Sequence, residues 1–157
     1  MPTLLAFDTS TERMHIALDA GGRVRVRDLD GAAAASAQLI PAILALLDEA
    51  GIGFDALDAI GFGRGPGAFT GLRTACSVAQ GLGLGSGKPV LPVDSLLLVA
   101  QDALDALAAA PAAFDAWVVM DARMDEIYAA HYRFAAGRWQ VLDAPALCRV
   151  EALNERW

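Results

Sequence analysis

The chain has 157 residues, 55% of them hydrophobic, and a formal net charge of −7 that sets one lysine and eleven arginines against nineteen carboxylates. The length fits about one domain, or one lobe with part of another. The acidic balance excludes a protein that grips nucleic acid by itself, because phosphate binding concentrates positive charge.

The opening "MPTLLAFDTSTER" has no basic leader before its apolar patch, which predicts a cytoplasmic protein without a signal peptide. The longest near-continuous apolar run, "LIPAILALL" at 39–47, is far short of the roughly 18 residues of a membrane span. An excess of apolar residues without a span predicts hydrophobic surface left over for a partner protein.

In chain order, "TLLAFDTS" and "MHIALDA" read as strands, Gly21–Gly22 as a two-residue hairpin turn, and the Arg/Val alternation of "RVRVRDL" as a third strand. Residues 36–50 have helical length and period, with Pro41 tolerable only near the first turn and Gly51 as the stop. A strand "LDAIGFG", a helix from Phe69 to about Gly83, a strand "KPVLPV" and a helix 95–107 follow. The order βββαβαβα predicts a mixed sheet with helices on its faces. After the Pro/Ala-rich joint "AAAPAAFD", strands return in "AWVVMDA", "EIYAAHYRF" and "RWQVL", and "VEALNERW" reads as a helix only begun. This predicts a first lobe over 1–110 and the start of a second, incomplete lobe over 115–157.

Candidate chemistry is sparse. Cys76 and Cys148 lie far apart with no CxxC spacing and read as buried thiols, while His15 and His131 read as ordinary strand residues. No serine follows the G-x-S-x-G elbow, so a hydrolase has no nucleophile to name. The glycine-rich stretch "FGRGPGAFTGLRTA" at 62–75 lacks the Lys-Ser/Thr of a Walker loop. It meets the dinucleotide pattern only through Gly63, Gly65 and Ala68, with Pro66 removing an N–H and the loop following the fourth strand. The same glycines also suit packing. Gly71, Ala75, Ala79, Gly83 and Gly87 recur every four residues and form a small-residue stripe along the helix, against the chain's own sheet or a partner.

The segments "LLAFDTSTERMHIAL", "GFGRGPGAFTGLRTA", "KPVLPVDSL" and "MDARMDEIYAAHY" resemble, in order and spacing, the bacterial TsaB (YeaZ) family over nearly the whole chain. The resemblance implies an actin-like ATPase (ASKHA, ribonuclease H-like) α/β fold of two lobes. It also implies a non-catalytic subunit that pairs with TsaD and activates it for N6-threonylcarbamoylation of the adenosine beside the anticodon. TsaE joins through the complex, tRNA is met only indirectly, and a homodimer forms when TsaD is absent.

The residues agree with a role outside catalysis. Asp8, Thr9 and Ser10 occupy the turn that contacts phosphate in actin-like ATPases, but without its usual glycine, and read as a vestigial turn. The region matching the HxxxH metal site of TsaD has no histidine, so no metal or cofactor is expected. Where family members often carry histidine and glutamate, this chain has Ala35 and Ala37. The expected partner interface comprises Leu39, Ile43 and Leu46 of the first helix and Gly71, Ala75, Ala79 and Gly83 of the second. The alternatives are an ATP-binding actin-like enzyme and, more weakly, a dinucleotide-binding domain. The tail at Trp157 is expected to be poorly ordered.

Overall fold

The computed structural model describes residues 1–31, 35–109 and 111–154, so the expectation for the tail at Trp157 lies outside the described residues. By compactness the chain divides into two units, Met1–Val93 and Asp94–Trp157.

The first unit opens with the antiparallel meander β1 (Leu4–Asp8), β2 (Arg13–Ala20) and β3 (Arg23–Asp30). Gly21 and Gly22 join β2 to β3 with φ of 64° and 79°, the left-handed values that a two-residue hairpin turn needs. Helix α1 (Ala35–Ala50) leads to β4 (Ala59–Gly63), helix α2 (Phe69–Ser86) to β5 (Val90–Val93), and both strands run parallel to β1. The sheet order is β3-β2-β1-β4-β5. Pro41 stands inside α1 instead of in its first turn. The helix continues because the position is exposed, as is Ala37, whose carbonyl would otherwise accept from residue 41. Gly87 closes α2 in the left-handed conformation and donates its N–H to the Gly83 carbonyl.

Alternation decides which side of the sheet is covered. Leu5 and Phe7 of β1 and Met14, Ile16 and Leu18 of β2 are buried in one cluster with Leu39, Ile43, Leu46 and Leu47 of α1 and with Ala75 and Ala79 of α2. Both helices therefore pack side by side on one face of the sheet. Strand β3 pairs Arg27 with Glu49 of α1 and leaves Val24 and Val26 exposed.

The second unit begins with α3 (Ser95–Asp105), followed by the antiparallel sheet β6 (Ala113–Arg123), β7 (Glu126–Ala135) and β8 (Arg138–Arg149), and by α4 (Val150–Asn154). The helix assigned to the first lobe over 1–110 thus groups with the second unit. Its Leu96 and Ala100 share a cluster with Val118 of β6 and with Ala130 and Tyr132 of β7. Trp139 adds a 2.7 Å hydrogen bond from its indole N–H to Gln101 Oε1.

On the same sheet, His131 stacks on Trp117 with ring centroids 4.5 Å apart and planes 10° from parallel. Its Nε2 lies 3.2 Å from Asp115 and its Nδ1 3.7 Å from Asp143. The cysteines differ from expectation: Cys76 and Cys148 are free and only half-buried, and the Gln80 amide donates to Cys76 Sγ. No helix among the described residues is long and apolar enough to cross a membrane.

Candidate functional site

The turn after β1 and the glycine-rich loop after β4 meet at the start of α2. Asp8 Oδ1 accepts the Ser10 N–H at 2.6 Å, closing the turn on itself. Thr9 and Ser10 are buried, at 1% and 5% exposure. The Thr9 hydroxyl donates to the Gly71 carbonyl at 2.7 Å, and the Ser10 carbonyl accepts the Ala68 N–H at 2.7 Å.

The glycines make that approach possible. A Cβ on Gly63 would overlap the Asp8 carboxylate, one on Gly67 the Ser10 backbone, and one on Gly71 the Thr9 carbonyl. The room left by the missing side chains is filled by the Asp8 carboxylate at Gly63 and mainly by the backbone of Ser10 and Thr9 at Gly67 and Gly71. That arrangement is the packing alternative for the glycines: Asp8, Thr9 and Ser10 form a closed turn bolted to α2. Among the described residues no group of three or more His, Cys, Asp or Glu could hold a metal ion.

The seven residues expected to meet a partner are buried within this chain. Leu39, Ile43 and Leu46 are completely buried under α1, and Gly71, Ala75, Ala79 and Gly83 are buried under α2. A Cβ on Gly83 would overlap Val90 of β5. The stripe that recurs every four residues is the face of α2 against its own sheet. The period identifies a face but not its occupant, and the sheet needs small residues there because β1, β4 and β5 come close.

Helix α2 carries a second stripe. Phe69, Arg73, Ser77, Gly81 and Gly85 also recur every four residues, and all five are exposed. A Cβ on Gly81 or Gly85 would meet nothing within 4 Å. Among the described residues these two glycines therefore have no packing reason, although glycine costs up to about 1 kcal/mol against alanine in a helix. Phe69 lies under Arg73, whose guanidinium carbon is 3.8 Å from the ring centroid. Leu84 is 89% exposed beside this stripe, and Ile40 and Leu44 are exposed on α1. Both helices thus carry exposed large apolar side chains, and α2 also carries a strip of bare backbone. The signal was present in "GLGLGSG", where two small-residue stripes interleave and only one fits the chain's own core.

Comparison with known proteins agrees with the fold. The family described as "TsaD: tRNA N6-adenosine threonylcarbamoyltransferase" matches residues 31–156. The tRNA threonylcarbamoyladenosine biosynthesis protein TsaB of Haemophilus influenzae is 39% identical over 127 residues, covering 80% of this chain and 52% of that protein. The TsaB of Escherichia coli is 33% identical over 154 residues, covering 98% and 65%. The solved structure of YeaZ from Pseudomonas aeruginosa superimposes with a TM-score of 0.84 at 41% identity, over 94% of this chain and 67% of that one. The chain spans about half to two thirds of the length of the TsaB relatives it matches. The fold is the expected mixed α/β sheet with helices, shared with the YeaZ structure. With a family match over most of its length and the YeaZ fold at 41% identity, the chain belongs to the TsaB (YeaZ) family.

Proposed function

We propose that this chain is a non-catalytic subunit that binds TsaD and activates it for threonylcarbamoylation of tRNA adenosine. The names carried by its relatives, tRNA threonylcarbamoyladenosine biosynthesis protein TsaB, support the process. The observation that carries the role is the outer side of α1 and α2. Ile40 and Leu44 of α1 and Phe69 and Leu84 of α2 are exposed, and a Cβ on Gly81 or Gly85 would meet open space. A partner helix laid on Gly81 and Gly85 gains close backbone approach, and the apolar side chains flank it. A second copy of the chain takes the same surface when TsaD is absent. TsaE joins through TsaD, tRNA contact is indirect, and the compartment is the cytoplasm.

The ATP-binding alternative is disfavoured by the turn at Asp8, Thr9 and Ser10, whose backbone fills the room that glycines leave at the start of α2. Two measurements test the reading together: co-elution of this chain with its cognate TsaD from a sizing column, and product formation from tRNA and threonylcarbamoyl-adenylate. The expected result is a stable pair, product that depends on TsaD and rises with this chain, and none from this chain alone. Product without TsaD would overturn the non-catalytic role, and separate elution would overturn the pairing.

A further inference from the structure

His131 stands where the β7–β8 ladder loses its regular register. Ala129 pairs with Ala146, His131 with Asp143, and Tyr132 with Val141, so irregularities flank the His131–Asp143 pair on both sides. Such bulges re-aim side chains, and here they set Asp143 across from the imidazole. From the other neighbouring strand β6 comes Asp115, 3.2 Å from Nε2, with Trp117 stacked on the ring. Arg133, two residues along β7, donates from its Nε to both Asp115 oxygens at 3.1 Å. Helix α4 also packs on β7 and β8 and carries Glu151, which makes no ion pair with His131 among the described residues.

Two carboxylates on one imidazole pose a donor problem. A neutral ring has one N–H and so serves one of them, whereas the imidazolium has two. The distances show which is served. Asp115 is within hydrogen-bond reach, and Asp143, at 3.7 Å from Nδ1, is not. A neutral ring that donates to Asp115 turns its unprotonated nitrogen toward the Asp143 carboxylate.

We propose that His131 is a proton-operated clamp: on protonation it donates to Asp115 and Asp143 at once and tightens the bulged segment of β8 against β7. Asp115 stays ionised through that titration, because the Arg133 hydrogen bond, aided by Arg133 and His131 charge, holds its carboxyl below the usual carboxylate range. The Trp117 ring face receives the imidazolium as a cation–π partner.

The test is amide hydrogen exchange of the whole chain, followed by NMR and corrected for intrinsic pH dependence. Measurements run from about pH 8 to about pH 5.5. In the wild type, protection of the Leu142, Asp143 and Ala144 amides is expected to rise about fivefold on acidification, the scale of one added hydrogen bond. His131→Gln should abolish the rise. Asp143→Asn should leave the His131 ring protons titrating while β8 no longer responds. Protection that is flat in the wild type, or that rises equally in either variant, overturns the clamp.

Discussion

The carbonyl of Thr9 lies where a Cβ of Gly71 would stand, while the Thr9 hydroxyl donates to the Gly71 carbonyl at 2.7 Å. One residue of the β1–β2 turn is therefore locked to one residue of α2 by shape and by a buried hydrogen bond. The glycine-rich loop is explained by this contact and its neighbours at Gly63 and Gly67, which admit the Asp8 carboxylate and the Ser10 backbone.

Glycines on the two faces of α2 should respond oppositely to alanine. Gly71→Ala forces backbone apart and is expected to cost about 3 kcal/mol or more, at the upper end of overpacking. Gly81→Ala and Gly85→Ala meet only open space and should each stabilise the chain by about 0.5–1 kcal/mol through helix propensity. Urea unfolding at neutral pH reads all three. A destabilising Gly81→Ala would mean that its surroundings in the free chain are not open.

The adjacent residues Ile43 and Leu44 separate core from surface in the same way. Ile43 is completely buried, so Ile43→Asp places an unpaired carboxylate in the core and should cost more than about 4 kcal/mol. Leu44 is 49% exposed, and Leu44→Asp should leave the unfolding midpoint nearly unchanged. Circular dichroism during urea titration distinguishes them. Equal loss of stability in both would contradict the placement of α1.

Acid stability should depend on two exposed aspartates. The hydrogen bond from Arg13 holds Asp28 below the usual carboxylate range, and that from Arg133 does the same for Asp115. A carboxyl with a lowered folded-state pKa contributes stability that is fully present above its unfolded value, about 3.9, and is lost as pH falls through the folded one. Asp28→Asn and Asp115→Asn should therefore flatten the decline of the unfolding midpoint below about pH 4. High salt should shrink the difference, since both pairs are exposed. An acid limb identical in wild type and variants would remove both pairs from the account.

Much of the fold was legible because its signals are local. Alternation over β1 and β2, the Gly21–Gly22 turn and the 3.6 period of α1 each fix an element without distant information. Resemblance supplied the class. The face of each helix was not legible, because α1 is apolar on two sides and α2 has small residues on two sides. Whether Leu39 or Ile40, Ala79 or Gly81, points inward depends on the sheet beneath. The placement of α3 was hidden for the same reason: its Leu96 and Ala100 fit an apolar sheet, and only tertiary packing selects β6 and β7. The β7–β8 irregularities around His131 left no mark that strand propensity could show, so a paired histidine read as an ordinary one.

The central claim is that TsaD binds the outer side of α1 and α2. Its most direct test is a binding titration of cognate TsaD with the wild type, Leu44→Asp and Gly81→Leu, all first shown to be folded. Loss of a hot-spot contact of about 2 kcal/mol predicts weakening on the order of thirtyfold in each variant, through an unpaired charge in one and blocked backbone approach in the other. Wild-type affinity in both folded variants would contradict the claim and move the TsaD surface off these helices.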